Sequence, residues 1–200
     1  MTTRNWHDII RDETGFRDFV NTHLDVLRER IRHELNWHVG SGNLEDGELS
    51  VDEVLDELYI RAWADRRRKP ADMAPLAWLT GLMTRVVWDL VRQRQASRNS
   101  ESLEQVIPDD SFIYDDEESF WEWYQPDDVE KLEDELAADQ PSVEDVAAAL
   151  EQRSLPAPAR LALALHDLYA LALRDVAATM RRELRETWQL VREARRTLGI

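Results

Sequence analysis

The sequence predicts an all-α protein with two helical domains joined by an acidic linker. Apolar residues recur at three- and four-residue spacings in both halves of the chain, as one helix face requires. Only six glycines occur in 200 residues, and no stretch alternates regularly between apolar and polar residues. These features argue against a dinucleotide-binding fold and a β-sandwich. We place the first domain at 1–98, the linker at 99–141 and the second domain at 142–200.

The composition restricts the class of protein further. The chain has no cysteine, so disulfides, thiol nucleophiles and thiolate metal sites are excluded. No apolar run reaches the roughly 20 residues of a membrane-spanning helix, and the first fifteen residues are too polar for a secretory signal. We therefore expect a cytoplasmic protein without membrane insertion.

The formal net charge of −16 conceals an uneven distribution. Residues 99–152 hold 19 acidic residues and one lysine, whereas the remainder of the chain holds 24 basic and 22 acidic residues. Seven large apolar side chains are interleaved with the acidic runs between 112 and 124. This mixture predicts a segment that docks, either on the protein's own basic surface or on a partner.

Three helices are predicted in the first domain. They run from about 16 to 39, from 51 to 65, and from 75 to the arginines near 94. Ser50 followed by Glu53 is the capping-box signature of a helix start.

The second domain begins with a looser capping box, Ser142 followed by Asp145. Three short helices are then predicted at about 159–168, 173–181 and 183–198. Three helices in about 45 residues, the last of them rich in arginine, have the proportions of a helix-turn-helix unit.

The last helix presents a candidate DNA-binding edge beside its apolar face, with Arg195 at the margin of that face. At 100° per residue, four long polar side chains fall within an arc of roughly 60°. They are Arg185, Gln189, Arg192 and Arg196. Such an edge can pair with phosphates and base edges in a major groove. The alternative is a solvated face that Glu186 and Glu193 neutralise within the helix.

A second candidate surface lies on the helix that starts at Pro75. Its residues, which share one side of the helix, are Gly81, Arg85, Trp88, Arg92 and Gln95. A tryptophan between two arginines can stack against single-stranded bases while the arginines bind phosphates. The alternative is that Trp88 belongs to the core, because tryptophans are highly buried on average.

An acidic side is predicted on the capped helix, opposite its apolar stripe. Its members are Asp52, Glu53, Asp56 and Glu57. They form either an ordinary solvated face or a surface for a basic partner helix.

Catalysis has little support in the sequence, and we expect neither an enzyme nor a cofactor. His33 and His38 are five residues apart, so on a helix they point about 140° apart and do not converge on a metal. The acidic runs lack the ligand order of a calcium loop, and no nucleophile-elbow motif is present.

Both domains resemble one family. Residues 52–63, DEVLDELYIRAW, resemble the stretch EDLVQETFLRAW of region two in extracytoplasmic-function sigma factors of the bacterial sigma-70 family. PLAWL at 75–79 and DLVR at 89–92 resemble that region's "PRAWL" and "DxxR". In the second half, the pairs LP at 155 and DL at 167, the triplet DVA at 175, and residues 191–198 are similar to "LP", "DL", "EIA" and "LxxARRxL" of region four. The resemblance covers about 16–98 and 143–198.

The resemblance implies an RNA polymerase sigma factor that binds core polymerase and directs it to promoter DNA. The acidic side of the capped helix would bind the β′ clamp helices, and the β flap is a further polymerase contact. The implied DNA-binding residues are Arg85, Trp88 and Arg92 at the −10 element, and Arg182, Arg185, Gln189, Arg192 and Arg196 at the −35 element. The family also admits an anti-sigma factor as a partner.

The sequence departs from the family at two glycines. Arg181-Arg182-Glu183 replaces the usual G-I-S turn, and Tyr169-Ala170-Leu171-Ala172 replaces E-G-L-S. Because a left-handed residue other than glycine costs about 1 kcal/mol, we expect the turn at 181–183 to differ in shape. Where this sequence has Thr84-Arg85, the family often has Arg-Asn.

Two hypotheses follow from the altered turn and the acidic segment. One is a sigma-like interaction protein that binds polymerase or another factor without reading promoters. The other is that residues 101–140 act as an internal DNA mimic that covers the arginine surfaces until polymerase binds.

Overall fold

The computed structural model describes residues 5–101, 129–152 and 155–200. Within these ranges the secondary structure is entirely helical, which confirms the predicted fold class. The described residues form two compact units, one ending at Glu101 and the other starting at Val129. No helix in the described ranges is long and apolar enough to cross a membrane.

The first unit consists of five helices around one apolar core. They are α1 (Trp6–Ile9), α2 (Glu13–Thr22), α3 (Leu24–Gly40), α4 (Val51–Asp65) and α5 (Pro75–Glu101). Helices α3, α4 and α5 pack against one another, and α2 lies against α3 and α4. Phe16, Leu27, Ile31 and Met83 are fully buried between them. Leu27 and Ile31, four residues apart on α3, show the apolar spacing from which helices were predicted.

Two helix limits differ from those predicted. The helix expected from 16 to 39 is broken at His23, whose N–H bonds to the Val20 carbonyl three residues back. No glycine or proline marks this break, so the sequence contains no signal for it.

The predicted capping box is confirmed: the Glu53 N–H donates to Ser50 Oγ at 3.2 Å, and the Ser50 N–H donates to Glu53 Oε2 at 2.9 Å. Helix α5 runs to Glu101, beyond the predicted end near 94.

The second unit also has five helices. They are α6 (Val129–Ala138), α7 (Val143–Gln152), α8 (Ala157–Leu163), α9 (Leu173–Met180) and α10 (Leu184–Leu198). A π-helical turn, Ala164–Leu168, extends α8. Helix α10 packs against α8 and α9, and α6 lies against both α9 and α10.

Helix α6 corrects part of the predicted linker. Residues 129–138, which the sequence placed in the acidic linker, form a helix that buries Leu136. The acidic run hid this helix, because its five apolar residues are interleaved with five charged ones. Residues 102–128, which carry the interleaved aromatics and most of the proposed DNA mimic, lie outside the described residues.

The second unit places two residues other than glycine in the left-handed backbone region. Ala170 has a φ of 53° and Arg181 a φ of 52°. Both fall where the resembling family has glycine. At 181–183, where we expected a turn of different shape, Arg181 adopts the left-handed conformation although it has a side chain. The Arg182 N–H bonds to Ala177 O at 3.0 Å, which completes the usual helix-ending motif.

Candidate functional site

The predicted edge of α10 is exposed in the structure. Arg185, Gln189, Arg192 and Arg196 all lie on the solvent side of the helix. None of these three arginines forms an ion pair with any residue that the structure describes. We refer to these four residues as the α10 strip.

The neutralising partners considered for the α10 strip are engaged elsewhere or remain in solvent. Glu186 lies 3.5 Å from Arg182, which is half-buried in the turn before α10. Glu193 is exposed, with no ion pair to any described residue. The arginines of the α10 strip therefore form no ion pair with a described residue, although the Glu193 carboxylate lies beside them.

An aromatic ring supports one member of the strip. The Arg192 guanidinium carbon lies 4.9 Å from the centre of the Trp188 ring, within the range of a cation–π contact. Gln189 and Arg196 line the same open groove, which has a volume of about 460 Å³. The Trp188 ring thus positions the Arg192 guanidinium at this groove.

A buried ionic network anchors the inner face of α10. Arg195 donates from Nε to Asp167 Oδ2 at 2.8 Å and from Nη2 to Asp167 Oδ1 at 2.7 Å. His166 Nδ1 lies 2.6 Å from the same Oδ1. Burial acts to raise the pKa of Asp167, but the hydrogen bonds from Arg195 and His166 outweigh it and lower that pKa.

The π-helical turn explains how this carboxylate reaches α10. Asp167 lies in the wider turn that ends α8, and its side chain is completely buried. The sequence placed Arg195 at the margin of the packed face, whereas its side chain is only 7% exposed. The sequence analysis did not predict that Asp167 would bind Arg195, although Asp167 lies in the DL pair that resembles the family.

In the first unit, the acidic side of α4 is exposed but largely paired. Asp52 lies 2.8 Å from Arg28, and Glu53 lies 2.7 Å from Arg94. The pKa of Glu53 is lowered, first by the Ser50 backbone hydrogen bond and then by the Ser50 hydroxyl.

Asp56 and Glu57 complete this acidic side in different ways. Glu57 accepts a hydrogen bond of 2.6 Å from Arg61 Nε, and Arg61 also donates to Asp89 on α5. Asp56 is exposed and forms no ion pair with a described residue. Arg61 and Asp89 lie in the two segments that resemble region two, so this contact connects them directly.

The predicted surface on α5 is only partly exposed. Trp88 is half-buried, with its ring centre 4.8 Å from that of His38 and 5.8 Å from that of Trp37. Gln95 donates its amide to Asn43 O at 3.3 Å. Among the five residues of this predicted surface, Arg92 alone is exposed: Arg85 is half-buried and Gly81 is buried.

The histidine pair that was considered as a metal site is engaged in packing. His38 is buried, and its Nδ1 lies 3.4 Å from Asn43 Nδ2, while His33 lies 3.8 Å from the buried Glu34 carboxylate. The described ranges contain no group of three side chains arranged to hold a metal ion.

Comparison with known proteins finds similarity at the level of structure. No family model matches the sequence, and no curated protein matches it. The fold is similar to that of CnrH, solved in complex with the cytosolic domain of CnrY: the TM-score is 0.54 and the identity 18%, over 97% of this chain and 92% of that one.

A second solved structure has comparable similarity. The sigma factor RpoE from Bartonella quintana, in complex with the anti-sigma factor NepR, gives a TM-score of 0.52 at 17% identity. The match covers 92% of this chain and 95% of that one. At these identities the comparison shows a shared fold.

Proposed function

We propose that this protein is a sigma factor that binds core RNA polymerase in the cytoplasm and directs it to promoter DNA. The observation that carries the proposal is the α10 strip, a row of exposed arginines without ion pairs to described residues, on a helix that follows a short turn. The fold similarity to a sigma factor over 92% of the chain supports the same reading.

In this proposal α9 and α10 act as a helix-turn-helix that reads the −35 element. Arg185, Arg192 and Arg196 contact phosphates or base edges, because guanidinium groups pair with both. Gln189, one turn along the same edge, offers an amide that can bind adenine in two places. Arg182 lies in the turn before α10, where it can meet the DNA backbone.

The first unit contributes the polymerase contact and the −10 contact. Asp52, Asp56 and the neighbouring glutamates present carboxylates to the basic β′ clamp helices. Surface ion pairs contribute only about 0–1 kcal/mol, so a partner can displace Arg28 and Arg94 at little cost. In this proposal the exposed Arg92 binds phosphates of the −10 element.

Run-off transcription with purified core polymerase tests the proposal. The triple variant R185A/R192A/R196A should lower promoter affinity at least about 100-fold, since each lost base contact costs about 1–3 kcal/mol. Its salt dependence should also become less steep, because fewer phosphates are neutralised. Absence of polymerase binding by the wild-type protein would end the proposal.

A matched control has the same loss of charge away from the proposed site. Arg11, Arg32 and Arg67 are exposed in the first unit and belong to neither proposed surface. The variant R11A/R32A/R67A should keep near wild-type promoter affinity. If both triple variants lose affinity equally, net charge rather than the α10 strip determines binding.

A second candidate is a regulatory protein that binds polymerase without reading promoters. The packing of Trp88 against His38 and Trp37 favours it, because this ring is then less available to melted bases. Wild-type transcription by R185A/R192A/R196A would support this candidate or a role for the first unit alone.

An anti-sigma factor is a further proposed partner. It is supported by the RpoE structure, which was solved with its anti-sigma factor NepR. Competition between a candidate anti-sigma protein and core polymerase for this chain would test it.

A further inference from the structure

Helix α6 is attached to the second unit by few contacts. Leu136 is buried in the described part of α6, whereas most of the side chains around it are exposed or half-exposed. A ten-residue helix is shorter than the 12–15 residues at which isolated helices become even marginally stable. The order of α6 therefore depends on what it contacts in α9 and α10.

One polar contact joins α6 to the start of α9. Glu133 Oε1 accepts a hydrogen bond of 2.9 Å from the N–H of Leu173, the first residue of α9. The residue that precedes this helix is Ala172, which has no side chain able to cap it. Glu133 thus supplies from a distant helix the acceptor that a serine or aspartate usually supplies locally.

A second polar contact joins the end of α6 to α10. Arg195 Nη1 donates to Leu136 O at 2.7 Å and to Asp139 O at 3.3 Å. The Leu136 carbonyl belongs to the last turn of α6, where the carbonyls have no donor within the helix, and Asp139 directly follows the helix. The same guanidinium also binds Asp167, so one arginine fixes α6, α10 and the π-helical turn together.

We propose that α6 is a latch that fixes the orientation of α10 through its contacts with α9 and α10. Glu133 holds α6 to the start of α9, Arg195 holds the end of α6 to α10, and the side chain of Leu136 is buried. The inference rests on the proposed function for its effect on DNA: with the latch closed, the α10 strip is held in the DNA-binding orientation. Arg195 and Glu133 are therefore positioning residues, and neither is required to touch DNA.

Hydrogen exchange followed by mass spectrometry on the full-length protein tests the latch directly. Glu133→Ala removes the acceptor and should raise the exchange rate of residues 129–138 about 3- to 10-fold, as the loss of one hydrogen bond implies. Glu133→Gln keeps a carbonyl acceptor and should restore the wild-type rate. Glu135→Ala is the matched control, since Glu135 is an exposed carboxylate on the same helix.

Promoter binding by the reconstituted holoenzyme then tests the coupling. Glu133→Ala should lower promoter affinity about 3- to 10-fold, whereas Glu133→Gln and Glu135→Ala should leave it unchanged. Unchanged exchange in α6 of the Glu133→Ala variant would overturn the latch. Faster exchange with unchanged promoter affinity would overturn the coupling.

Arg195→Lys offers an independent test. Lysine keeps a positive charge near Asp167 but cannot form the paired bonds of a guanidinium, so α6 exchange should again increase. Should this variant fail to fold, Glu133→Ala still decides the question. If the wild-type protein forms no promoter complex, the proposed function and the coupling both fail, and the exchange data still show whether α6 is latched.

Discussion

The two units use their charges differently. In the first unit, arginines pair with carboxylates at the surface: Arg28 with Asp52, and Arg94 with Glu53. In the second unit, α10 separates its arginines into a buried one, Arg195, and an exposed set that forms no ion pair with described residues. The first arrangement gives a surface whose charges are already partly satisfied, and the second gives an anchored helix with a free cationic edge.

The same contrast extends to the turns. In the first unit, the described left-handed backbone positions are occupied by glycine, at Gly42 and Gly47, whereas in the second unit Ala170 and Arg181 occupy such positions besides Gly199. A residue with a side chain is strained there by about 1–2 kcal/mol. The second unit therefore maintains strained turns on both sides of α9, and the packing of α8, α9 and α10 has to compensate for them.

The largest effect on stability should come from the buried pair. Asp167→Asn leaves Arg195 buried without a full counter-charge, and we expect a loss of about 3–5 kcal/mol in the free energy of unfolding. The matched variant is Asp89→Asn, which removes a partner of the half-exposed Arg61 and should cost no more than about 1 kcal/mol. Hydrogen exchange in α10 and in α5 measures each unit separately; equal losses would break the contrast between them.

The pH dependence of unfolding should show the same difference. Because the pKa of Asp167 is lowered in the folded state, its contribution is complete above the carboxylate's unfolded-state pKa. That contribution disappears as the pH falls through the lowered folded-state pKa. Acid titration followed by α10 exchange should therefore be steeper in the wild-type protein than in Asp167→Asn. Parallel curves would contradict the role given to this carboxylate.

Sequence periodicity was sufficient to predict most helices but not all of their limits. The capping box at Ser50 and the exposed α10 strip follow from residue type and spacing, and both are found. The break at His23 carries no glycine or proline, so local sequence contained no warning of it. Helix α6 was missed because charged residues obscured the helical spacing of Val129, Leu132 and Leu136.

The exposed residues of the candidate site could be predicted from the sequence, but the buried contacts that hold them in place could not. Helical spacing placed Arg192 at the exposed edge of α10. The partners of Arg195 come from 28 and 59 residues away, at Asp167 and Leu136, and no local pattern specifies such distances. Trp88 shows the same limit, since tertiary packing against His38 decides how much of the ring is available.

The turn positions predict effects of opposite sign in the two units. Ala170→Gly should raise the free energy of unfolding by about 0.5–1 kcal/mol, because relief of strain exceeds the extra entropy of an unfolded glycine. Gly42→Ala should lower it by about 1 kcal/mol, although a Cβ there would meet no atom within 4 Å. Urea unfolding of the two variants measures both effects, and a stabilised Gly42→Ala variant would show that turn strain is not the cause.

The smallest effects should distinguish carboxylates within the acidic side of α4. Asp52 lies in the first turn of α4 and pairs with Arg28, so Asp52→Ala should lower stability by about 0.3–1 kcal/mol. Asp56 lies further along the helix without an ion pair to a described residue, so Asp56→Ala should leave stability nearly unchanged.

Polymerase affinity should reverse this order. A basic partner must displace Arg28 to reach Asp52 but meets Asp56 directly, and one exposed pair corresponds to about a 2- to 5-fold change in affinity. Asp56→Ala should therefore weaken polymerase binding more than Asp52→Ala, measured by fluorescence titration of core polymerase. If the ion pair with Arg28 restricts access to Asp52, then Asp52 must contribute less than Asp56 to polymerase binding. A larger loss of affinity with Asp52→Ala would therefore show that this ion pair does not restrict the partner.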